Sequence, residues 1–138
     1  MHLEVVTGPA AEPLSAAEAK SHLRVDGTDE DSLITALIVA ARQFVENHCE
    51  IALINQTLKL TLPAFADSIK LPRPPVSSIT QIEYVNTSGT VVTVLLAGNT
   101  LWRLSAAAMQ NVVTPYFDTS WPDTAAVPDA VKITYVAG

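Results

Sequence analysis

The sequence predicts an α+β fold, in which an N-terminal helical pair packs on a mostly antiparallel β-sheet with hairpins. Apolar residues recur every three or four positions in the first third of the chain, which is typical of a helix. Beyond residue 56 they alternate with polar residues, as a half-buried strand requires. Asn86 and Gly89 supply the turn between two such segments. We expect one domain over residues 1–138, helical over 1–52 and mostly β over 53–138.

The first helix is predicted by a capping box. The Ser15 side chain can accept from the free amide three residues on, and Glu18 can reach back, with Leu14 placed as a hydrophobic staple. The helix should run to about Leu23, because Gly27 then breaks the chain.

The second helix is predicted from Thr28 as its cap, followed by acidic residues at the positive end of the helix dipole. The same acidic residues could hold a cation, although capping explains them without further chemistry. The helix should end near Cys49 or Glu50. Its apolar positions predict a wide buried stripe: Leu33, Ile34, Leu37, Ile38, Ala41, Phe44, Val45 and His48.

The remainder of the chain predicts short strands. Leu58, Leu60 and Leu62 share one face of the first strand, and residues 79–85 and 90–96 form a hairpin. Further strands are expected at 68–71, 101–104, 111–114 and 131–136, the last with Val131, Ile133 and Tyr135 on one face. Residues 72–75 must be extended, because three prolines fix φ and remove donors.

Composition and motifs argue against several classes of function. The net charge is −6 and the basic residues are scattered, which disfavours a protein that grips nucleic-acid phosphates. Apolar runs fall far short of a membrane span. The histidines lack zinc spacing, and there is no G-x-S-x-G motif or glycine-rich phosphate loop. We predict no catalytic residue, no cofactor, no metal and no membrane association.

Two segments are candidate contact sites for a partner protein. Trp121 and Pro122 could anchor a partner, since tryptophan is enriched at binding hot spots, or the indole could simply cover the sheet edge. Arg73, Pro74 and Pro75 could dock as a preordered segment or act as a plain connector.

Seven segments carry a resemblance that spans nearly the whole chain: residues 14–26, 29–31, 53–57, 69–76, 82–85, 120–122 and 131–138. Together they resemble the phage head-tail connector family, the adaptor proteins of long-tailed phages and gene transfer agents. The resemblance implies a virion structural protein at the head-tail junction, with the host cytoplasm as the place of assembly. It implies a ring, commonly a dodecamer, that binds the portal protein and tail or head-closure proteins while DNA passes through the lumen without specific binding.

Two alternatives stay open at this stage. The chain could be another neck or tail-completion protein, or a small hydrolase or ligand-binding domain. Many family members also continue past a Val136-Ala137-Gly138-like ending into an amphipathic helical region. Either a longer chain carries that region, or this chain binds its partner through another surface. The long helix is then expected to expose apolar area that the further helix would have covered.

Overall fold

The computed structural model describes residues 1–94, 102–105 and 111–138. These residues form two helices and eight strands, and the helices precede most of the strands, which confirms the predicted α+β class. The elements in chain order are β1 (His2–Thr7), α1 (Ala16–Leu23), α2 (Asp31–Cys49), β2 (Gln56–Leu62), β3 (Ile69–Lys70), β4 (Val76–Val85), β5 (Val91–Val94), β6 (Trp102–Ser105), β7 (Val112–Pro115) and β8 (Val131–Ala137).

The strands form two antiparallel sheets. The larger has the order β1-β2-β8-β4-β5, and the smaller has the order β3-β7-β6. Strand β8 lies at the centre of the larger sheet, where Ile133 pairs with Leu60 of β2 and with Ile82 of β4. Strand β1 was not predicted from the sequence. It is an edge strand that exists through its pairing with β2, as in Leu3 opposite Leu60.

The hydrophobic core lies between the two sheets. Val131, Ile133 and Tyr135 of β8 are fully buried, which confirms that they share one face. Ile69 and Val113 of the smaller sheet belong to the same buried cluster. The smaller sheet therefore helps to cover the inner face of the larger one, and no residue of α1 or α2 belongs to this cluster among the described residues.

Local sequence signals are mostly confirmed. The Glu18 amide donates to Ser15 Oγ (3.2 Å) and the Ser15 amide donates to Glu18 Oε2 (2.9 Å), so the predicted capping box is present. The hairpin turn is closed by the Gly89 amide, which donates to the Asn86 carbonyl (2.9 Å), and Gly89 has a φ of 78° that favours glycine.

The predicted cap of the second helix is wrong. Helix α2 begins at Asp31, its N-cap residue is Glu30, and that residue makes no capping bond through its side chain. Thr28 instead uses its backbone carbonyl to accept from the Asp31 amide at 3.2 Å, because a further turn precedes the helix. The strands predicted at 90–96 and 101–104 are described only in part, and residues 95, 96 and 101 lie outside the described residues.

The predicted buried stripe of α2 is also wrong. Leu33, Leu37 and Phe44 are 57%, 58% and 70% exposed. The buried side chains of α2 are Ile34 and two charged residues, Arg42 and Glu46. The apolar side of the helix faces outward because its polar side is the one joined to the rest of the chain. The alternative expectation, that the long helix exposes apolar area, agrees with the structure.

Candidate functional site

A buried polar cluster, which was not predicted from the sequence, joins α2 to its surroundings. Arg42 Nη1 donates to Glu46 Oε2 one helical turn away (2.7 Å). Its Nε and Nη2 donate to the two carboxylate oxygens of Glu12 at 2.7 and 3.2 Å. The hydrogen bond to Glu12 and the pair with Glu46 raise the pKa of Arg42 despite its burial, so the guanidinium stays charged.

The second oxygen of Glu46 reaches the start of the sheet. Glu46 Oε1 accepts from the Leu53 amide (3.0 Å) and from Gln56 Nε2 (3.0 Å). Glu46 is almost fully buried, and a buried carboxylate is tolerated only when its charge is paired and its lone pairs are used. The five hydrogen bonds of this cluster therefore fix which side of α2 faces inward.

The outward side of α2 is free of charge. With about 100° between successive residues of a helix, Arg42 lies opposite Leu33 and Glu46 lies opposite Leu37. The other charged residue of the helix, Asp31, is paired with Lys20 of α1 at 2.5 Å. We call the exposed residues on this side the α2 stripe; it consists of Leu33, Leu37, Ala40 and Phe44.

The α2 stripe has the spacing of a helix-packing seam. Its residues follow one another at intervals of four, three and four, the pattern by which one helix packs against another. The small side chain of Ala40 lies between the large ones of Leu37 and Phe44. His48 extends the stripe by one turn, since its ring stacks on Phe44 with centroids 5.9 Å apart.

The predicted contact segment at Arg73 to Pro75 lies in a loop at the C-terminal end of α2. Arg73 has a φ of 56°, and its Nη2 donates to Asn47 Oδ1 (2.7 Å). The carbonyls of the loop are also used: Pro74 accepts from the Ala52 amide at 3.0 Å, and Pro75 from the Gly138 amide at 2.9 Å. The loop thus connects α2, β4 and β8.

Beside this loop lies a groove of about 1120 Å³. Arg73 and Pro74 line it together with Met1, with Leu3 of β1 and with Cys49 of α2. The loop is therefore a connector that also forms one wall of a groove. That it contacts a partner protein stays a prediction.

The predicted contact residue Trp121 covers the core. Its ring stacks on Phe65 with centroids 4.5 Å apart and an interplanar angle of 3°. The indole Nε1 is buried and has no hydrogen-bond partner in the described parts of the chain. Trp121 and Pro122 line a second pocket of about 260 Å³ with Tyr84 and Val92. The structure does not bring Trp121 into the groove that Arg73 lines.

Metal-ligating side chains do not cluster in the described ranges. Within residues 1–94, 102–105 and 111–138, no group of three His, Cys, Asp or Glu side chains could hold a metal ion. No helix of the described chain is long and apolar enough to span a membrane. Asp29 and Glu30 are exposed at the start of α2.

The α2 stripe is the surface that reasoning from the sequence misassigned. A signal for it was present. Between Asp31 and Glu46 the helix has one charged residue, Arg42, whereas an exposed helix face normally carries several charges. When the few charged residues of a helix are all paired on one side, the opposite side carries no charged side chain that would favour its exposure to water.

Comparisons with known proteins give consistent matches. The family model for phage gp6-like head-tail connector proteins matches residues 15–90. Among solved structures, a chain in the neck of an empty gene transfer agent (GTA) particle with C6 symmetry is 28% identical, with a TM-score of 0.77; the match covers 100% of this chain and 71% of that one.

A chain in the virion of a native GTA particle is 27% identical, with a TM-score of 0.79 and coverage of 100% and 72%. A chain in the neck of a native GTA particle with C12 symmetry is 28% identical, with a TM-score of 0.72 and coverage of 100% and 70%. A search of curated proteins found no match.

Proposed function

This chain belongs to the phage gp6-like head-tail connector family, and we propose that it forms a ring beneath the portal that joins the DNA-filled head to the tail. The observation that carries this proposal is the match of the whole chain to chains in the necks of GTA particles with C6 and C12 symmetry. Its place is then the virion neck. Its partners are neighbouring copies, the portal protein, and tail or head-closure proteins.

The role is mechanical, and we propose no catalysis. Three of the four polar or charged residues that the described chain buries hold its structure together: Arg42 and Glu46 hold a helix, and Gln56 completes their hydrogen bonds. The formal charge of −6 is compatible with DNA passing through the lumen, because an acidic wall attracts few phosphates.

We propose the loop at Arg73, Pro74 and Pro75 as part of the surface that contacts the portal or a neighbour. Arg73 is held in a left-handed conformation that is uncommon for residues other than glycine, and such positions cluster at functional sites. Trp121 and Pro122 are a second candidate, although the stacking on Phe65 makes Trp121 part of the fold as well.

The test is assembly with the portal protein of the same particle. Size-exclusion chromatography with light scattering gives the mass of the chain alone, of the portal, and of the mixture. We expect a ring-sized species, either alone or only with the portal, and electron microscopy should show it coaxial with the portal. A chain that binds no portal and forms no ring in any mixture would overturn the proposal.

The loop is tested by a pair of matched variants. Arg73→Gln and Arg103→Gln each remove one positive charge, and the Arg103 side chain is exposed on β6. We expect Arg73→Gln to weaken assembly with the portal and Arg103→Gln to leave it unchanged. Equal binding by both variants would remove Arg73 from the proposed interface.

A further inference from the structure

The outward side of α2 is built to be covered by protein. Four neighbouring positions, Leu33, Leu37, Ala40 and Phe44, form a continuous apolar row along about 17 Å of helix. Contiguous apolar patches of this kind on a soluble chain mark interaction sites. A helix side that faced only water would carry charged residues. In α2 the charged residue Arg42 instead faces inward and is buried.

The chain cannot cover the α2 stripe by rotating the helix. Such a rotation would break the hydrogen bonds of Arg42 to Glu12 and Glu46, and those of Glu46 to Leu53 and Gln56. It would leave buried charges unpaired, which is strongly destabilising. Among the described residues, the buried core cluster also forms without any side chain of α1 or α2.

We propose that the α2 stripe is the face on which a neighbouring copy of this chain packs in the ring. This inference rests on the proposed function, since it takes the sixfold and twelvefold arrangement of the similar neck structures as the arrangement of this chain. In a closed ring, every subunit presents two different surfaces, one to each neighbour. The α2 stripe is one of the two.

The chemistry of the stripe favours a protein occupant that offers an apolar helix or loop. The spacing of Leu33, Leu37, Ala40 and Phe44 accepts side chains between its own, and Ala40 permits a close approach. The chain also has a large apolar side chain outside the helices that is 90% exposed, Phe117, which follows β7. A second copy of the chain therefore offers an exposed apolar side chain that can pack against the α2 stripe.

The decisive experiment is site-specific photocross-linking in the assembled complex. Phe44 is replaced by the photoreactive amino acid p-benzoylphenylalanine, the chain is assembled with the portal, and the cross-linked peptides are identified by mass spectrometry. We expect a cross-link between two copies of this chain, from position 44 to a peptide outside α2. A cross-link to the portal, to α2 of another copy, or to nothing would overturn the proposal.

A pair of charge variants measures the effect on assembly. Phe44→Glu places a charge on the stripe, and Gln43→Glu places the same charge one residue away, off the stripe. We expect Phe44→Glu to weaken binding between neighbouring copies about thirtyfold, as for a hot-spot side chain, with fewer copies bound to each portal. Gln43→Glu should assemble like the wild-type chain. Equal copy numbers for the two variants would contradict the inference.

Mixing separates a ring contact from a twofold contact. A Phe44→Glu chain keeps its other surface, so it should still add to one side of a wild-type chain and terminate further growth. In a twofold contact the stripe would meet itself, and the variant would be excluded from wild-type assemblies. If the wild-type chain forms rings and the variant does too, the inference fails while the proposed function stands; if the wild-type chain never forms a ring, both fail.

Discussion

The two halves of this molecule bury opposite kinds of surface. In the β half, apolar residues such as Leu58 and Ile133 face inward and polar residues such as Lys59 and Thr134 face outward. In helix α2 the charged residues Arg42 and Glu46 face inward, and the apolar row faces outward. The sheets thus complete their core within one chain, whereas the helix leaves its apolar side for another molecule. Stability of the monomer and assembly of the particle therefore depend on different surfaces: the core and the inward side of α2 on one hand, and the outward side of α2 on the other.

The largest effect is expected where the helix is joined to the rest of the chain. Arg42→Met keeps most of the side-chain volume but leaves Glu46 buried without its charge partner, which should lower the free energy of unfolding by about 3–5 kcal/mol. The matched control is Lys59→Met, which breaks the exposed pair with Glu4 and should cost far less, because solvent screens an exposed ion pair. Urea unfolding measures both. Similar losses in the two variants would mean that the buried cluster does not fix the helix.

The next prediction compares the same substitution, leucine to alanine, in the two halves of the molecule. Leu58→Ala removes a fully buried side chain from β2 and should cost about 2–5 kcal/mol. Leu37→Ala removes the same atoms from the exposed α2 stripe and should change the free energy of unfolding by less than about 0.5 kcal/mol. A loss at Leu37 as large as the loss at Leu58 would show that the monomer covers the stripe in solution.

A smaller effect is expected at Tyr135, where the β half contacts Pro72, beside the loop at Arg73 to Pro75. Tyr135 Oη donates to the Pro72 carbonyl at 2.8 Å, and Tyr135→Phe should cost about 0.5–1.5 kcal/mol. Burial raises the pKa of Tyr135 well above its ordinary value, while the charge of Arg73 lowers it by less. The folded state therefore binds this proton more tightly than the unfolded state.

The raised pKa of Tyr135 predicts that the stability of the folded chain falls at alkaline pH. Because the pKa is raised by folding, the contribution of Tyr135 is fully present at neutral pH and is lost above about pH 10, where the unfolded tyrosine ionises. We expect the stability of the wild-type chain to fall more steeply above pH 10 than that of Tyr135→Phe. Urea unfolding at a series of alkaline pH values measures the two slopes, and parallel slopes would contradict the prediction.

A small effect on the monomer is expected at Phe44, as at Leu37. Since the ring of Phe44 is mostly exposed and stacks on His48 alone among the described rings, Phe44→Glu should change the free energy of unfolding by less than about 1 kcal/mol. Thermal unfolding of the isolated chain measures this change. A large loss would place Phe44 in the fold of the monomer and would weaken the contrast between the two halves.

Local signals in the sequence were sufficient for most of the elements. The capping box of Ser15 and Glu18 acts within one turn, and the turn at Asn86 and Gly89 acts within four residues, so both could be recognised without knowledge of the fold. The alternation around Leu58 gave the buried face of β2, because the period of a strand fixes which residues share a side. The resemblance gave the family.

The candidate site was only partly predictable. Arg73 and Pro74 do line a groove, but Trp121 lies against Phe65, and the α2 stripe was expected to be covered. An apolar periodicity shows that a helix has one side that avoids water. It contains no information on whether the cover comes from the same chain or from another one.

Caps, turns and periodicity were enough to predict both helices and most of the strands after β1, and the resemblance indicated the family. The pairing of distant segments, and the side that α2 turns inward, depended on the tertiary fold. Strand β1 exists because β2 lies beside it, and α2 faces as it does because Glu12 and Gln56 reach Arg42 and Glu46. The physical reason is range: caps, turns and periodicity act over a few residues, whereas burial and the satisfaction of buried charge depend on residues that are far apart in the chain.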